Sequence, residues 1–439
     1  MELFSNSVVR LQNVVLIVNA TASAVAPMQC LSLVGALSNM TLTALNSDVI
    51  ATCGRGLKLI TVPTYDGADG VRVLVAGGTL QSVLTMTDVS LTSKAQFSVP
   101  GVVIVQFHNI TEATNTDITV SNFSLTTTVD YRSLSKPLLA PTTVGAIGTH
   151  GAVLLSQSAV SHCVVTLSNV EMSFEEMGAI SISPYLQGFS VTALFYGVVV
   201  FYGYTSEFAT VVISNSSLML TQQDPTLAAA AISPSPTILA GVVVRSASVI
   251  LVFAALRNGH LMVTNCTIAS TAVVFSTAKA TPVWNGVGII YHASVGSFLQ
   301  ADQPQIVPYL SAILPDAFFS TINDSDIHID TCTVTGPVLS ATIIATIPPS
   351  IFRLSVAIVN FFNMHNTTTT IVASSSSSSS PSLASTASQE LRECVCLAAV
   401  SLVPSSTISN SRIALWNYLH FQHCNTSHSG NTSSFISLR

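Results

Sequence analysis

Two unrelated sequence markers recur along this chain with one period, and that period constrains the fold more than any other feature. The first marker is clearest in TVVISNSSLML, residues 210–220. Val211 and Ile213 alternate with small or polar residues, Asn215 interrupts, and Leu218 resumes the apolar pattern on the other parity. Alternation of this kind marks a strand with one buried face. Other good copies are DITVSNFSLTT (117–127), HLMVTNCTIAS (260–270) and DIHIDTCTVTG (326–336). The second marker is a Gly followed by a β-branched run, as in PGVVIVQF, HGAVLLSQ, YGVVVFYG, AGVVVRSA and NGVGIIYH. Its glycines, Gly101, Gly151, Gly197, Gly241 and Gly286, lie 50, 46, 44 and 45 residues apart; Asn122, Asn169, Asn215 and Asn265 lie 47, 46 and 50 apart. A shared period in this range means a repeat architecture.

Residue types decide which one. Val, Ile, Thr and Ser are abundant while Glu, Lys and Arg are scarce, which favours strands over helices. Propeller blades need four strands per repeat and regular tight turns, which the spacing does not supply. The pattern predicts an all-β chain, a right-handed parallel β-helix solenoid with long inserted loops. Residues 1–365 form its repeats of about 46 residues, 366–393 a Ser/Thr-rich disordered linker or loop, and 394–439 a terminal coil. The Pro-containing stretches 128–145, 221–239 and 299–323 read as loops. Asn13, Asn39, Asn122, Asn169, Asn215, Asn265 and Asn410 are expected to stack as a structural ladder. Because the apolar residues two and four places before each Asn share its strand parity, the ladder is expected to point inward.

The chain is 49% hydrophobic and 8% charged, with mean hydropathy +0.60. An ordinary soluble domain carries about 25% charged residues. Ser and Thr, about a quarter of the chain, supply uncharged polarity instead. A polytopic membrane protein is the competing class, and 237–256 is its best spanning candidate, although Arg245 sits near the middle of it. With 14 basic and 20 acidic residues, net charge −6, there is no basic patch for nucleic acid. Eight cysteines are too dilute for a disulfide framework, and Cys394 and Cys396 have no companion at a zinc spacing. No cofactor or metal site is expected. The N-terminal stretch reads as a repeat entered midway, without a basic signal-peptide region.

Repeats such as VVISNSSLML and LMVTNCTIAS, with GVVV strands between them, resemble the large Ser/Thr/Val-rich surface proteins of kinetoplastids. The nearest groups are the dispersed gene family surface proteins of trypanosomes and related membrane-associated proteins of free-living kinetoplastids. The resemblance covers about residues 8–365 and resumes near 400. It implies a pectin-lyase-like β-helix and a cell-surface, membrane-associated glycoprotein with an adhesive or decoy role.

The polar cluster NDSDIHIDT puts Asp326, His328 and Asp330 on one strand face, with Asp324 just before them. Acids beside a His could bind a cation or do acid/base work on a glycan. A solvated outer face explains them as well, since Ile327 and Ile329 take the other parity. The leading expectation is therefore a non-catalytic surface repeat protein whose partners are glycans or surface proteins. A carbohydrate-active lyase or hydrolase of the same fold is the alternative. Ten N-x-S/T sequons occur. Asn19, Asn323, Asn366, Asn425 and Asn431 are the expected glycan acceptors, because Asn39, Asn109, Asn122, Asn215 and Asn265 belong to the inward-pointing repeat.

Overall fold

In a computed structural model the described residues are almost entirely strand. The structure describes residues 3–20, 28–53, 71–94, 99–105, 112–130, 144–156, 159–177, 190–202, 206–223, 242–253, 255–270, 275–276, 283–293 and 322–336, and shorter strand segments between 340 and 438. Among these residues there is no helix. All but two of the strands belong to one 33-stranded network, and the pairings are parallel. The chain returns again and again to the same position one strand further on: Asp117–Asp130 lies between Val83–Lys94 and Val164–Met177.

Each return makes one layer, and the layers are built alike. A five-residue rung forms the centre of the layer: 8–12, 41–45, 83–87, 117–121, 164–168, 210–214, 260–264 and 326–330, continued in register by 355–359 and 412–416. Its second and fourth residues point inward. Leu84 and Met86, Ile118 and Val120, Val165 and Leu167, Val211 and Ile213, Leu261 and Val263, and Ile327 and Ile329 are all buried. Each large side chain so buried stabilises by roughly 1.5–3 kcal/mol.

A residue with left-handed backbone stands at each end of the rung. The preceding corners are Asn6, Asn39, Gln81, Asn115, His162, Phe208, Asn258 and Asp324; the following corners are Asn13, Asn46, Asp88, Asn122, Asn169, Asn215, Asn265 and Thr331. Their φ values run from 45° to 55°, and the two corners of a layer are always seven residues apart. Asn and Asp tolerate this conformation best among non-glycine residues, and a β-branched Thr tolerates it poorly. The separation between successive layers is not constant. It is 33, 42, 34, 47, 46, 50 and 66 residues, so the period near 46 holds only through the middle of the chain.

The corner overturns the inward reading of the asparagines. A left-handed residue breaks the strict alternation of the strand, so the residue after it turns inward and the corner side chain turns out. Asn13, Asn39, Asn122, Asn169, Asn215 and Asn265 are exposed, while Ser47, Ser216, Cys266 and Cys332, each just after a corner, are buried. Asn39 also stands in the preceding column, over Asn6, rather than with Asn122 and Asn215. Asn410 and Asn109 lie outside the described residues.

Corner hydrogen bonding explains the small polar residue that follows. The corner N–H donates to the next layer, as from Asn215 to the Thr264 carbonyl (3.1 Å) and from Asn39 to the Leu80 carbonyl (2.9 Å). The residue two places after the corner donates back to the previous layer, as from Thr267 to the Ser216 carbonyl (2.9 Å). The intervening N–H is left for a side chain. Ser216 Oγ accepts it from Val170 (3.2 Å), Ser82 Oγ from Met40 (3.3 Å), Ser47 Oγ from Val14 (3.3 Å) and Ser325 Oγ from Gly259 (3.1 Å). Each hydroxyl then donates to the carbonyl two residues back in its own layer, at 2.8–3.1 Å. Cys332 Sγ takes the same place for the Cys266 N–H (3.4 Å).

The recurrent glycines answer a different need. A Cβ on Gly151 would stand 2.5 Å from the carbonyl oxygen of Gly197 in the next layer, and one on Gly197 would meet Leu251. The apolar run 237–256 contributes the strand Val242–Phe253, paired on both sides. Among the described residues no helix is long and apolar enough to cross a membrane. Of the Ser/Thr-rich stretch, 366–368 and Thr370–Ile371 are strand and the rest lies outside the described residues.

Replacing Ser216 by Ala leaves the buried Val170 N–H without its acceptor and costs about 1–3 kcal/mol in denaturant unfolding. Cys332→Ser restores the hydroxyl used in other layers and changes stability by less than about 1 kcal/mol. A Ser216→Ala protein as stable as the parent would refute this account of the corner. Thr331→Asn relieves a β-branched left-handed residue, and a gain of about 1 kcal/mol is expected in the same measurement.

Candidate functional site

The outward side of the rungs is the surface that these layers hold most regularly. Residues one, three and five of each rung face out, and the same position repeats in neighbouring strands about 4.8 Å apart. Thr43, Thr85, Thr119 and Thr166 make one row, each half-buried by its neighbours. Thr87, Ser121, Ser168, Ser214 and Thr264 make the next. Thr87 and Ser121 share a hydrogen bond of 3.0 Å along their row. These two rows thus hold a run of short hydroxyls with little side-chain freedom to lose on binding, beside a first row that carries the exposed Val83 and Val164.

Towards the later layers the same face becomes charged. His260 is paired directly with Asp326, Met262 with His328 and Thr264 with Asp330. Asp326 is exposed, His328 and Asp330 are half-buried, and Ile327 and Ile329 point into the core. Asp324 does not join them. It is a corner residue with φ of 51°, outside the rung that carries the other three. Among the described residues no group of three or more His, Cys, Asp or Glu side chains is placed to hold a metal ion.

Corner side chains border the rung face. Asn39 Nδ2 donates to Asn6 Oδ1 (2.8 Å), Asn122 to Asp88 (2.9 Å), Asn169 to Asn122 (3.0 Å) and Asn265 to Asn215 (2.7 Å). On the preceding border, the one that holds Asn6 and Asn39, the exposed rings of His162 and Phe208 stack at 4.7 Å, and Arg257 pairs with Glu207 at 3.1 Å. Of the expected glycan acceptors, Asn323 is half-buried in the strand Ile322–Asp330. Asn19, Asn366 and Asn425 lie on strands, and Asn431 is outside the described residues.

The titratable groups most altered by the fold are inside it. His150 is fully buried, stacked on Tyr196 (4.9 Å) and edge-on to Phe174 (5.4 Å). Neither ring nitrogen has a hydrogen-bond partner among the described residues. Burial lowers its pKa from 6.5 to about 3. Tyr196 donates its hydroxyl proton to the buried carboxylate of Glu176, the third titratable member of this cluster. Burial also pushes the Cys163 thiol up to about 11. The hydrogen bond shared with Cys266, and then burial, hold Cys332 well above the ordinary thiol range. These thiols stay protonated and are poor nucleophiles. Nothing in the sequence singles out His150 from the surrounding strand, because its neighbours in space come from other layers.

Comparison with known protein families and with curated proteins finds no match to this chain.

The His150 cluster gives the fold a defined acid response. The unfolded chain protonates His150 below pH 6.5, whereas the folded chain keeps it neutral down to about pH 3. His150's contribution to stability is therefore flat above about pH 6.5 and falls as pH drops towards 3. At about 1.4 kcal/mol per pH unit this loss reaches about 5 kcal/mol. Urea unfolding of the parent and of His150→Gln across pH 3–8 checks it: the substitution should flatten the slope in that window, and identical slopes would refute the assignment.

Proposed function

We propose that the chain is a right-handed parallel β-helix serving as a non-catalytic surface scaffold of the adhesion type, with its outward rung face contacting glycans. The observation that carries this reading is the hydroxyl grid of Thr43, Thr85, Thr119 and Thr166 beside Thr87, Ser121, Ser168 and Ser214. Hydroxyls held in a fixed array can hydrogen-bond the hydroxyls of a sugar while losing little conformational entropy. The resemblance to kinetoplastid surface proteins supports the same role and a cell-surface location. His150, whose pKa burial lowers, is sealed in the core.

The test is binding of the purified full chain to an array of polysaccharides and glycoprotein glycans. Thr119→Arg and Thr166→Arg together should weaken binding at least tenfold and leave the melting curve unchanged, while Asp326→Asn should have no effect. Polysaccharide turnover abolished by Asp326→Asn would replace this reading with an enzymatic one.

A further inference from the structure

We propose that the corner asparagines Asn39, Asn122, Asn215 and Asn265 are N-glycosylation sites, so that glycans stand along the edges of the rung face. This rests on the surface placement proposed above.

All four begin an N-x-S/T sequon: Asn39-Met-Thr, Asn122-Phe-Ser, Asn215-Ser-Ser and Asn265-Cys-Thr. Their side chains are exposed at a left-handed turn, with φ of 49° to 53°. The middle residue of each sequon, Met40, Phe123, Ser216 or Cys266, is buried. The third residue faces outward again, as Ser124 and Thr267 show by their exposure. Acceptor amide and hydroxyl thus lie on the outer side of the chain, with the buried residue between them. Six other corner asparagines, Asn6, Asn13, Asn46, Asn115, Asn169 and Asn258, share the backbone but lack the hydroxyl residue and serve as internal controls.

The chemistry suits the corner. In the transfer, Nδ2 forms a bond to the anomeric carbon of an oligosaccharide carried on a polyprenyl diphosphate. The bond from that carbon to the diphosphate oxygen breaks, Nδ2 gives up one proton, and polyprenyl diphosphate leaves. The product is a secondary amide with one N–H remaining. One is enough, because Asn39, Asn122 and Asn265 each make a single donation, to Asn6, Asp88 and Asn215. Asn215 accepts from Asn265, and its own amide nitrogen donates to no described side chain, so it is the least encumbered of the four.

To test this, the full chain is secreted from a eukaryotic host behind an added export leader, which sends it through the glycosylating compartment whatever its natural location. Enzymatic glycan release converts each occupied Asn to Asp, and peptide mass spectrometry reads the occupancy. More than half of the secreted molecules should carry a glycan at Asn215, with Asn39, Asn122 and Asn265 also modified. Asn122→Gln and Asn215→Gln should each remove one glycan's mass without lowering secretion. Corners left bare in secreted chain, whether or not Asn323 and Asn19 are occupied, would overturn the proposal. Unglycosylated chain from a bacterial host, tested on the same polysaccharide array, judges the rung face independently, so failure of the scaffold reading is distinguishable from failure of this one.

Discussion

One backbone group left out of the ladder between layers organises several corners of this protein. At a left-handed corner the ladder between layers skips a single N–H, that of the residue just after the corner. A buried, unpaired N–H costs as much as a lost hydrogen bond or more. Ser47, Ser82, Ser216 and Ser325 remove that cost by accepting from the neighbouring layer while donating within their own. The hydroxyl is therefore both a corner filler and a link between layers. Other corners are followed by the apolar Met40, Val89, Phe123, Val170 or Ala209, and the rung stays at five residues and the corners at seven apart there too.

The rung length in turn fixes the core. Six residues lie between two corners, the one just after the first corner and then the five-residue rung; the two inward positions of the rung are filled from Leu, Ile, Val and Met with a single Ala at Ala44. Because neighbouring strands are in register, each inward side chain lies against its equivalent above and below. Gly151 and Gly197 stack for a related reason: two layers approach there too closely for a Cβ. The layer that holds Phe174 and the next, which holds Tyr196, supply enough ring surface to bury a neutral His150 between them. Layer spacing along the sequence, by contrast, ranges from 33 to 66 residues, since length added to a loop changes none of these contacts.

Much of this was legible before any coordinates. Alternation in segments such as TVVIS and DITVS identifies the inward pair, and the recurrence of Asn and Gly markers identifies stacked parallel layers. The direction of the asparagines was not legible. Strand parity carries Val211 and Ile213 forward to an inward Asn215, and the reasoning fails because the left-handed residue itself reverses parity. The resumption at Leu218 signals that a reversal occurs, but not on which side of Asn215 it falls. The preceding corner was harder still. Gln81, His162, Phe208 and Asp324 share a backbone angle and no side-chain chemistry, so only the seven-residue offset from the second corner betrays them. His150 was invisible for another reason: its environment is assembled from residues 24 and 46 positions away.

The two corner columns divide the labour between fold and surface. The residue after a corner is turned inward and buried in most layers, whether it is Ser, Cys, Val, Met or Phe, while the corner side chain itself needs only to tolerate φ near 50°. That tolerance is graded rather than absolute, which is why His162 and Phe208 can replace Asn where they stack on each other in the open. A position that is geometrically fixed and chemically permissive is well suited to presenting contacts, because a change there alters the surface without moving the layer beneath. The rung face follows the same logic: Thr, Ser, Val, His and Asp exchange at its outward positions over an unchanged apolar pair. The charged end at Asp326, His328 and Asp330 is thus a chemical variation on the grid that Thr85 and Thr119 occupy earlier in the stack, carried by the same backbone.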